Sequence, residues 1–192
     1  MTTEDERGAR LAAQLDSFRL ETRLPNLVLR PPVSNDGPNM QARTRDMRNT
    51  QFLPHLHAKV SQPLSEVHEW IELMRRDFGT RCLFLLVEFD GQVIGESGLG
   101  FLDWSHSQAE AGIMLSHQVW RRGLAYEALL ASVRFGLEQL GMDRITLGTL
   151  EDNVGMRALL RRMGAGEGTP RVRTDGRLER VYEVTSQNLA VV

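Results

Sequence analysis

The 192-residue sequence holds one cysteine, one lysine and two tyrosines, and no long hydrophobic run. A single thiol, Cys82, excludes an internal disulfide and fits a reducing compartment. Set within an apolar run, it reads as a small core residue rather than a nucleophile. No stretch approaches the ~18 consecutive apolar residues of a membrane-spanning helix. The acidic, mixed start MTTEDERGARLAAQ lacks the apolar segment of a secretion signal. The expected location is therefore cytoplasmic, away from membranes. A formal net charge of −2 argues against a general nucleic-acid binder, and no metal site is expected. Lys59 is the only lysine, so the basic side chains are almost all arginine, a bias that carries little functional weight.

What is present is an ordinary globular composition, 41% hydrophobic and 25% charged, enough for one domain with a sizeable core. Charge is uneven. Residues 121–180 carry eleven arginines against eight carboxylates, whereas residues 1–120 sum to −4. A local basic excess suits a phosphate-bearing ligand. There is no internal repeat or low-complexity tract.

Leu11, Leu15 and Phe18 recur at roughly helical spacing, so residues 1–24 read as a helical arm ahead of a main domain at 25–192. NLVLRPP (26–32) reads as a first strand stopped by prolines. SNDGPNMQARTRDMRNT predicts a surface helix, QFLPHLHAKVSQP a loop, and LSEVHEWIELMRRDFG an amphipathic helix ending at Gly79. RCLFLLVEF and QVIGESGLGFL, joined by Asp-Gly, form the strongest hairpin signal. AEAGIMLS is a further strand, and the helix after it, 123–140, should be heavily buried. RITLGTL, a short helix ending at Gly164 and a second Asp-Gly hairpin complete the chain. This order predicts an α+β fold, a mixed sheet with helices on both faces.

The functional question centres on HQVWRRGLAYEALLASVRFGLEQLG (117–141). A turn entering a helix presents amides without intrahelical partners, and the helix dipole adds partial positive charge there. Gly123 lets a ligand approach the backbone without a Cβ, Ala125 is the next-smallest choice, and Arg121 and Arg122 bring charge to the rim. The alternative is a plain turn with two solvated arginines. Gly148 within a strand marks either close ligand approach or a packing accommodation. Asn153 either caps the following helix or reaches a ligand.

Taken together, strand, anion-binding turn, buried helix, Gly-containing strand, Asn at a helix start and RRMGA form an ordered series that resembles the GNAT N-acyltransferase superfamily. Its phosphate loop appears as Trp120-Arg121-Arg122-Gly123-Leu124-Ala125. Trp120 departs from the Gln or Arg of the wider superfamily but looks like the ribosomal-protein (Rim-type) branch, as does YEALL after it. The resemblance covers roughly residues 25–185. It implies a central, mostly antiparallel mixed sheet and acetyl transfer from acetyl-CoA to a primary amine by direct attack in a ternary complex. Strands splayed near Leu115 and Gly148 would admit the pantetheine arm, paired to backbone groups of Met114 and Leu115. Amides of Arg121, Arg122, Gly123, Leu124, Ala125 and Tyr126 would hold the pyrophosphate, with Asn153 nearby.

The resemblance assigns no general acid, because Leu160 stands where the family often has Tyr, and Met156 where it has Ser or Ala. For a base, Glu96 and Glu110 lie on strands bordering the cleft, where burial can raise a carboxylate's pKa. Glu96, between Gly95 and Ser97, is the stronger candidate; Glu110 also reads as structural, and His117 as a solvated loop histidine. The acceptor is a protein N-terminus, an aminoglycoside-like antibiotic, a polyamine or another small amine, with acidic residues before 120 mildly favouring a cation. Homodimers are common in the branch. The rival reading is a non-catalytic CoA-binding or protein-interaction domain that retains the fold.

Overall fold

The computed structural model describes residues 4–190. Its strands are β1 (Leu20–Glu21), β2 (Leu27–Arg30), β3 (Leu83–Phe89), β4 (Gln92–Asp103), β5 (Gln108–Leu115), β6 (Arg144–Leu150), β7 (Thr169–Val172) and β8 (Leu178–Val184). They form one sheet in the order β1-β2-β3-β4-β5-β6-β8-β7. Every neighbouring pair is antiparallel except β5 with β6. The helices are α1 (Glu4–Ala12), α2 (Gly37–Arg45), α3 (Met47–Thr50), α4 (Pro54–His57), α5 (Leu64–Arg76), α6 (Leu124–Arg134) and α7 (Val154–Arg162). The expected mixed sheet, mostly antiparallel, is what these residues form.

Side-chain alternation explains the layering. In β3, Leu83, Leu85 and Val87 join the main core with α6, whereas Phe84 and Leu86 join a second cluster with Met40 of α2 and Val67 and Ile71 of α5. Helices thus cover both faces. The second cluster reaches only the β3–β4 half of its face. On that same face Glu110, Gly112, Gly148 and Glu183 are exposed.

Four expectations change. Of the expected arm at 1–24, residues 1–3 lie outside the described residues and the rest is helical only over Glu4–Ala12; the chain then turns and adds β1 beside β2, making NLVLRPP the second strand. Leu11 and Phe18 are buried, and Phe18 packs edge-on against Phe78 and Phe135. Residues 34–50 hold two helices rather than one surface helix, because Arg43, Asn49 and Thr50 are drawn inward by polar partners. The expected loop at 51–63 contains α4. The long helix stops at Arg134 and continues as a π-helical turn, Phe135–Gln139. There the helix lies so close to the sheet that a Cβ on Gly136 would sit 2.6 Å from Ile145 Cδ1 and 2.8 Å from Leu99 Cδ1.

Two irregularities shape the site. Glu88 pairs with Val93 but Val87 with Gly95, leaving Ile94 as the extra residue of a β-bulge. The parallel pairing of β5 with β6 covers only Gln108–Arg144, Ala109–Ile145 and Glu110–Thr146. Beyond that rung the strands part.

Candidate active site

The opening between β5 and β6 exposes backbone edges. Ser116 N–H donates to Ile94 O at 2.8 Å, and hydrogen-bonded pairs alternate along an antiparallel ladder. Met114, paired with Glu96, is therefore turned into β4, while Ile113 and Leu115 turn toward the gap. This corrects the expectation for Met114: its amide and carbonyl are used by the sheet, and Ile113 takes its place beside Leu115. Leu115 O also accepts the indole N–H of Trp120 at 2.8 Å. That bond ties the start of the following loop to the end of β5.

The loop then delivers the chain to α6 in an unusual conformation. Arg121 has φ 61° and Gly123 φ 81°, both left-handed, and Gly123 is the N-cap of α6. Tyr126 and Glu127 amides return to Gly123 O. Among the described residues, the amides from Arg121 to Ala125 have no hydrogen-bond acceptor. Three guanidiniums surround them without ion pairs among the described residues: exposed Arg121, Arg122 lying 5.4 Å over the Phe89 ring, and Arg162 lying 4.0 Å over the Tyr126 ring. The one carboxylate of the first turn, Glu127, is held by Arg23 through contacts of 3.0 and 2.8 Å, which offsets its charge. An anion-binding helix start needs this combination of free amides, dipole and uncompensated cations. Leu124 and Tyr126 have buried side chains and contribute to the core. The Tyr126 hydroxyl is buried without a partner among the described residues.

A floor without side chains extends from the gap. Gly98 pairs with Gly112, and Gly112 and Gly148 each lie two residues past the last β5–β6 rung. A Cβ on Gly112 would meet nothing within 4 Å, and one on Gly148 nothing nearer than Glu179 Oε2 at 3.9 Å. Packing therefore does not require glycine at Gly148. Glu110 stands exposed on this floor.

Glu96 lies on the same face but on the covered side. Its side chain is 19% exposed, with Arg43 Nη2 3.5 Å from Oε2. Burial pushes the Glu96 carboxyl above the usual carboxylate range, opposed by the charges of Arg43 and Lys59. Burial likewise lowers the Arg43 pKa. Asn39 Oδ1 accepts from Arg43 Nη1; Asn49 Nδ2 donates to Arg43 O at 2.9 Å, and Asn49 Oδ1 accepts from His117 N–H at 2.7 Å. His117 Nδ1 is 3.5 Å from Asp46, so this histidine is fixed to α3 rather than loose in a loop. Glu96 opens into a small pocket of about 50 Å³ lined by apolar Met40, Leu56 and Val67 together with Lys59 and Trp70.

Asn153 caps α7, its Oδ1 accepting from Met156 N–H at 3.1 Å. Leu160 is wholly buried and Cys82 buried, both core residues. Sequence reasoning missed Arg43, Lys59, Trp70, Ile113 and Arg162. Only Arg43 left a trace, a charged residue in a polar helix beside a β-rich centre.

A fold of this kind, with a parted strand pair feeding an anion-ready helix start, defines an acyl-carrier-binding transferase architecture. The chain belongs to the acetyltransferase (GNAT) domain family, whose model matches residues 26–166; the family's members are acetyl-CoA-dependent N-acetyltransferases. Solved structures share the fold. Mycobacterium smegmatis RimJ in complex with CoA-disulfide superposes with TM-score 0.74 at 20% identity, over 91% of this chain and 88% of that one. Spermidine N-acetyltransferase from Vibrio cholerae, solved with CoA and spermine, gives TM-score 0.75 at 15% identity, over 86% and 98%. A GNAT-family acetyltransferase from Bacillus anthracis gives 0.73 at 14% identity, over 88% and 99%. No curated protein matches the chain. No helix among the described residues is long and apolar enough to cross a membrane.

Proposed function

We propose that this chain transfers the acetyl group of acetyl-CoA to a primary amine held over the β4–β5 floor, with Glu96 as the general base. The observation that carries the reading is the parting of β5 and β6 beyond Glu110–Thr146, directly continuous with the acceptor-free amides of residues 121–125. The residues fit the cofactor. The α6 start, with Arg121, Arg122 and Arg162, can hold its phosphates, and the Ile113 and Leu115 edges can pair with its amide-containing arm. Gly112 and Gly148 leave the floor clear. Asn153 serves by capping α7, which sets that helix beside the gap.

Acetyl-CoA supplies an activated acyl group, so the protein's task is positioning plus one proton transfer. An ammonium acceptor must lose a proton before it attacks. Glu96, desolvated and raised in pKa, is a stronger base than an exposed carboxylate. Arg43 holds it from one side. Glu110, exposed on the open floor, is the second carboxylate facing an acceptor and favours a cationic one. The test is thiol release from acetyl-CoA with a panel of small amines and peptide N-termini. Wild-type turnover with Glu96→Gln losing about 10²-fold or more supports the reading. CoA binding without turnover on any amine favours a non-catalytic CoA-binding domain.

A further inference from the structure

We propose that Lys59 is acetylated by the chain that carries it, in the pocket whose floor is Glu96. The inference rests on the acetyltransferase reading above, and adds a substrate that is part of the protein.

Lys59 is the only lysine in the sequence, and it is half-buried just after the short helix α4. Its ammonium lies 5.5 Å over the ring of Trp70, the arrangement by which an aromatic face receives an alkylammonium. Trp70 is itself fixed edge-on against Phe84 at 4.5 Å. Among the described residues Lys59 makes no ion pair, whereas the arginines nearby do: Arg43 reaches Glu96 and Arg173 is bonded to Glu179. Lys59 and Glu96 line one pocket with the apolar Met40, Leu56 and Val67, and Lys59 is close enough to favour ionised Glu96. Glu96 is the direct cross-strand neighbour of Met114, whose flanking residues form the edge of the gap. The pocket therefore presents an amine, a base and an apolar wall beside the place where the acyl group must arrive.

The step balances without a further reactant. The Lys59 ammonium gives one proton to the Glu96 carboxylate, and the freed Nζ lone pair attacks the thioester carbonyl carbon. The C–S bond breaks and the CoA thiolate leaves with its electron pair; it takes up the second nitrogen proton lost on amide formation, and the proton held by Glu96 returns to solvent, restoring the carboxylate. The products are CoA thiol and Nζ-acetyl-lysine. Acetylation removes the cation over Trp70 and the positive charge that favours ionised Glu96, so the modified chain holds the Glu96 proton more tightly and leaves the cation site empty.

The experiment incubates the full chain with acetyl-CoA and no added amine, then locates acetyl groups by intact-mass and tandem mass spectrometry. The expected result is one acetyl group, on Lys59, appearing with a first-order rate constant that does not change with protein concentration. Lys59→Arg, which keeps a cation over Trp70, should abolish it. Glu96→Gln should slow it by about tenfold or more. Calorimetric binding of CoA is measured on every sample. A wild-type chain that binds CoA but leaves Lys59 unmodified overturns the inference. So does acetyl found only on the N-terminal amine, a first-order rate constant that rises with protein concentration, or equal modification in Glu96→Gln. A chain that binds no CoA overturns the acetyltransferase reading itself.

Discussion

Replacing Gly123 by valine tests the cradle most directly, because the structure separates its two possible costs. Gly123 sits at φ 81°, and a Cβ there would meet nothing within 4 Å. Protein packing therefore imposes no penalty on the added atoms. Holding an L-residue in the left-handed region costs roughly 1–2 kcal/mol, more when it is β-branched. For a chain of this size that lowers the melting temperature by about 2–4 °C per kcal/mol. Gly91, in the Asp90–Gly91 turn, has φ 75° and equally open surroundings, so Gly91→Val bears the same backbone cost outside the loop. The two variants should melt alike. They should differ in CoA affinity. The isopropyl group of Gly123→Val occupies the space into which the amides of residues 121–125 point, and a loop that relaxes out of the left-handed conformation no longer converges those amides. Losing about 1.4 kcal/mol of contact is a tenfold weaker Kd, and a loss of at least that size is expected by calorimetry. Wild-type CoA affinity in Gly123→Val, or a loss no greater than in Gly91→Val, would show that the loop is only a connection.

Asn153→Ala should cost about 1 kcal/mol of stability through the lost cap, while Asn153→Asp keeps both cap and CoA affinity; weaker CoA binding in the aspartate variant, measured by calorimetry, would mean that the amide nitrogen touches the cofactor. Trp120→Phe removes the 2.8 Å bond to Leu115 O and should cost roughly 0.5–1.5 kcal/mol in thermal melts, with CoA binding weakened as the loop loosens. Because burial raises the Glu96 pKa, the base is active only above that raised value. The acidic limb of kcat/KM should therefore lie above the ordinary carboxylate value of about 4.3. Arg43→Met removes a charge that favours ionised Glu96, so the limb should move to still higher pH; a limb that stays in place or moves down would separate Arg43 from the base.

Local signals were legible wherever a single run of residues decides the outcome. The Asp90–Gly91 turn, the amphipathic α5 and the capped α7 all follow from spacing and cap residues that act within one turn or one strand. Although its left-handed backbone is shown only by the structure, the helix start at Gly123 was readable for the same reason. Two kinds of feature were not. The first is register: whether Met114 or Ile113 faces the gap depends on how β5 pairs with β4 beyond the Ile94 bulge, and a shift of one residue exchanges the two faces. The second is long-range polar contact. Arg43 and Glu96 lie more than fifty positions apart in the sequence, and Lys59 and Trp70 meet only because α4 and α5 fold over the same strands. Gly148 illustrates the gain from structure. Its sequence context allowed packing or ligand approach, and the structure removes packing, since a Cβ there would meet nothing nearer than 3.9 Å.

The two carboxylates illustrate how one sheet face supplies different environments without different strands. Glu96 and Glu110 belong to the same β4–β5 ladder and point to the same side, with Glu96 opposite Met114 and Glu110 opposite Gly100. What distinguishes them is the edge of the helical layer. α2 and α5 cover β3 and the near part of β4, so Glu96 loses most of its water and its proton is held more tightly. The cover stops before the glycine row, so Glu110 remains solvated. In the proposed reaction the dry carboxylate is the one basic enough to accept a proton, and the wet one attracts a cation without trapping it. Extending α2 or α5 across the floor would dry both groups and close the route for the acceptor, while removing them would solvate both and lower the basicity of Glu96. The incomplete coverage of this face therefore gives its two carboxylates different solvation, and Gly112 and Gly148, where a Cβ would meet nothing nearer than 3.9 Å, keep the boundary open.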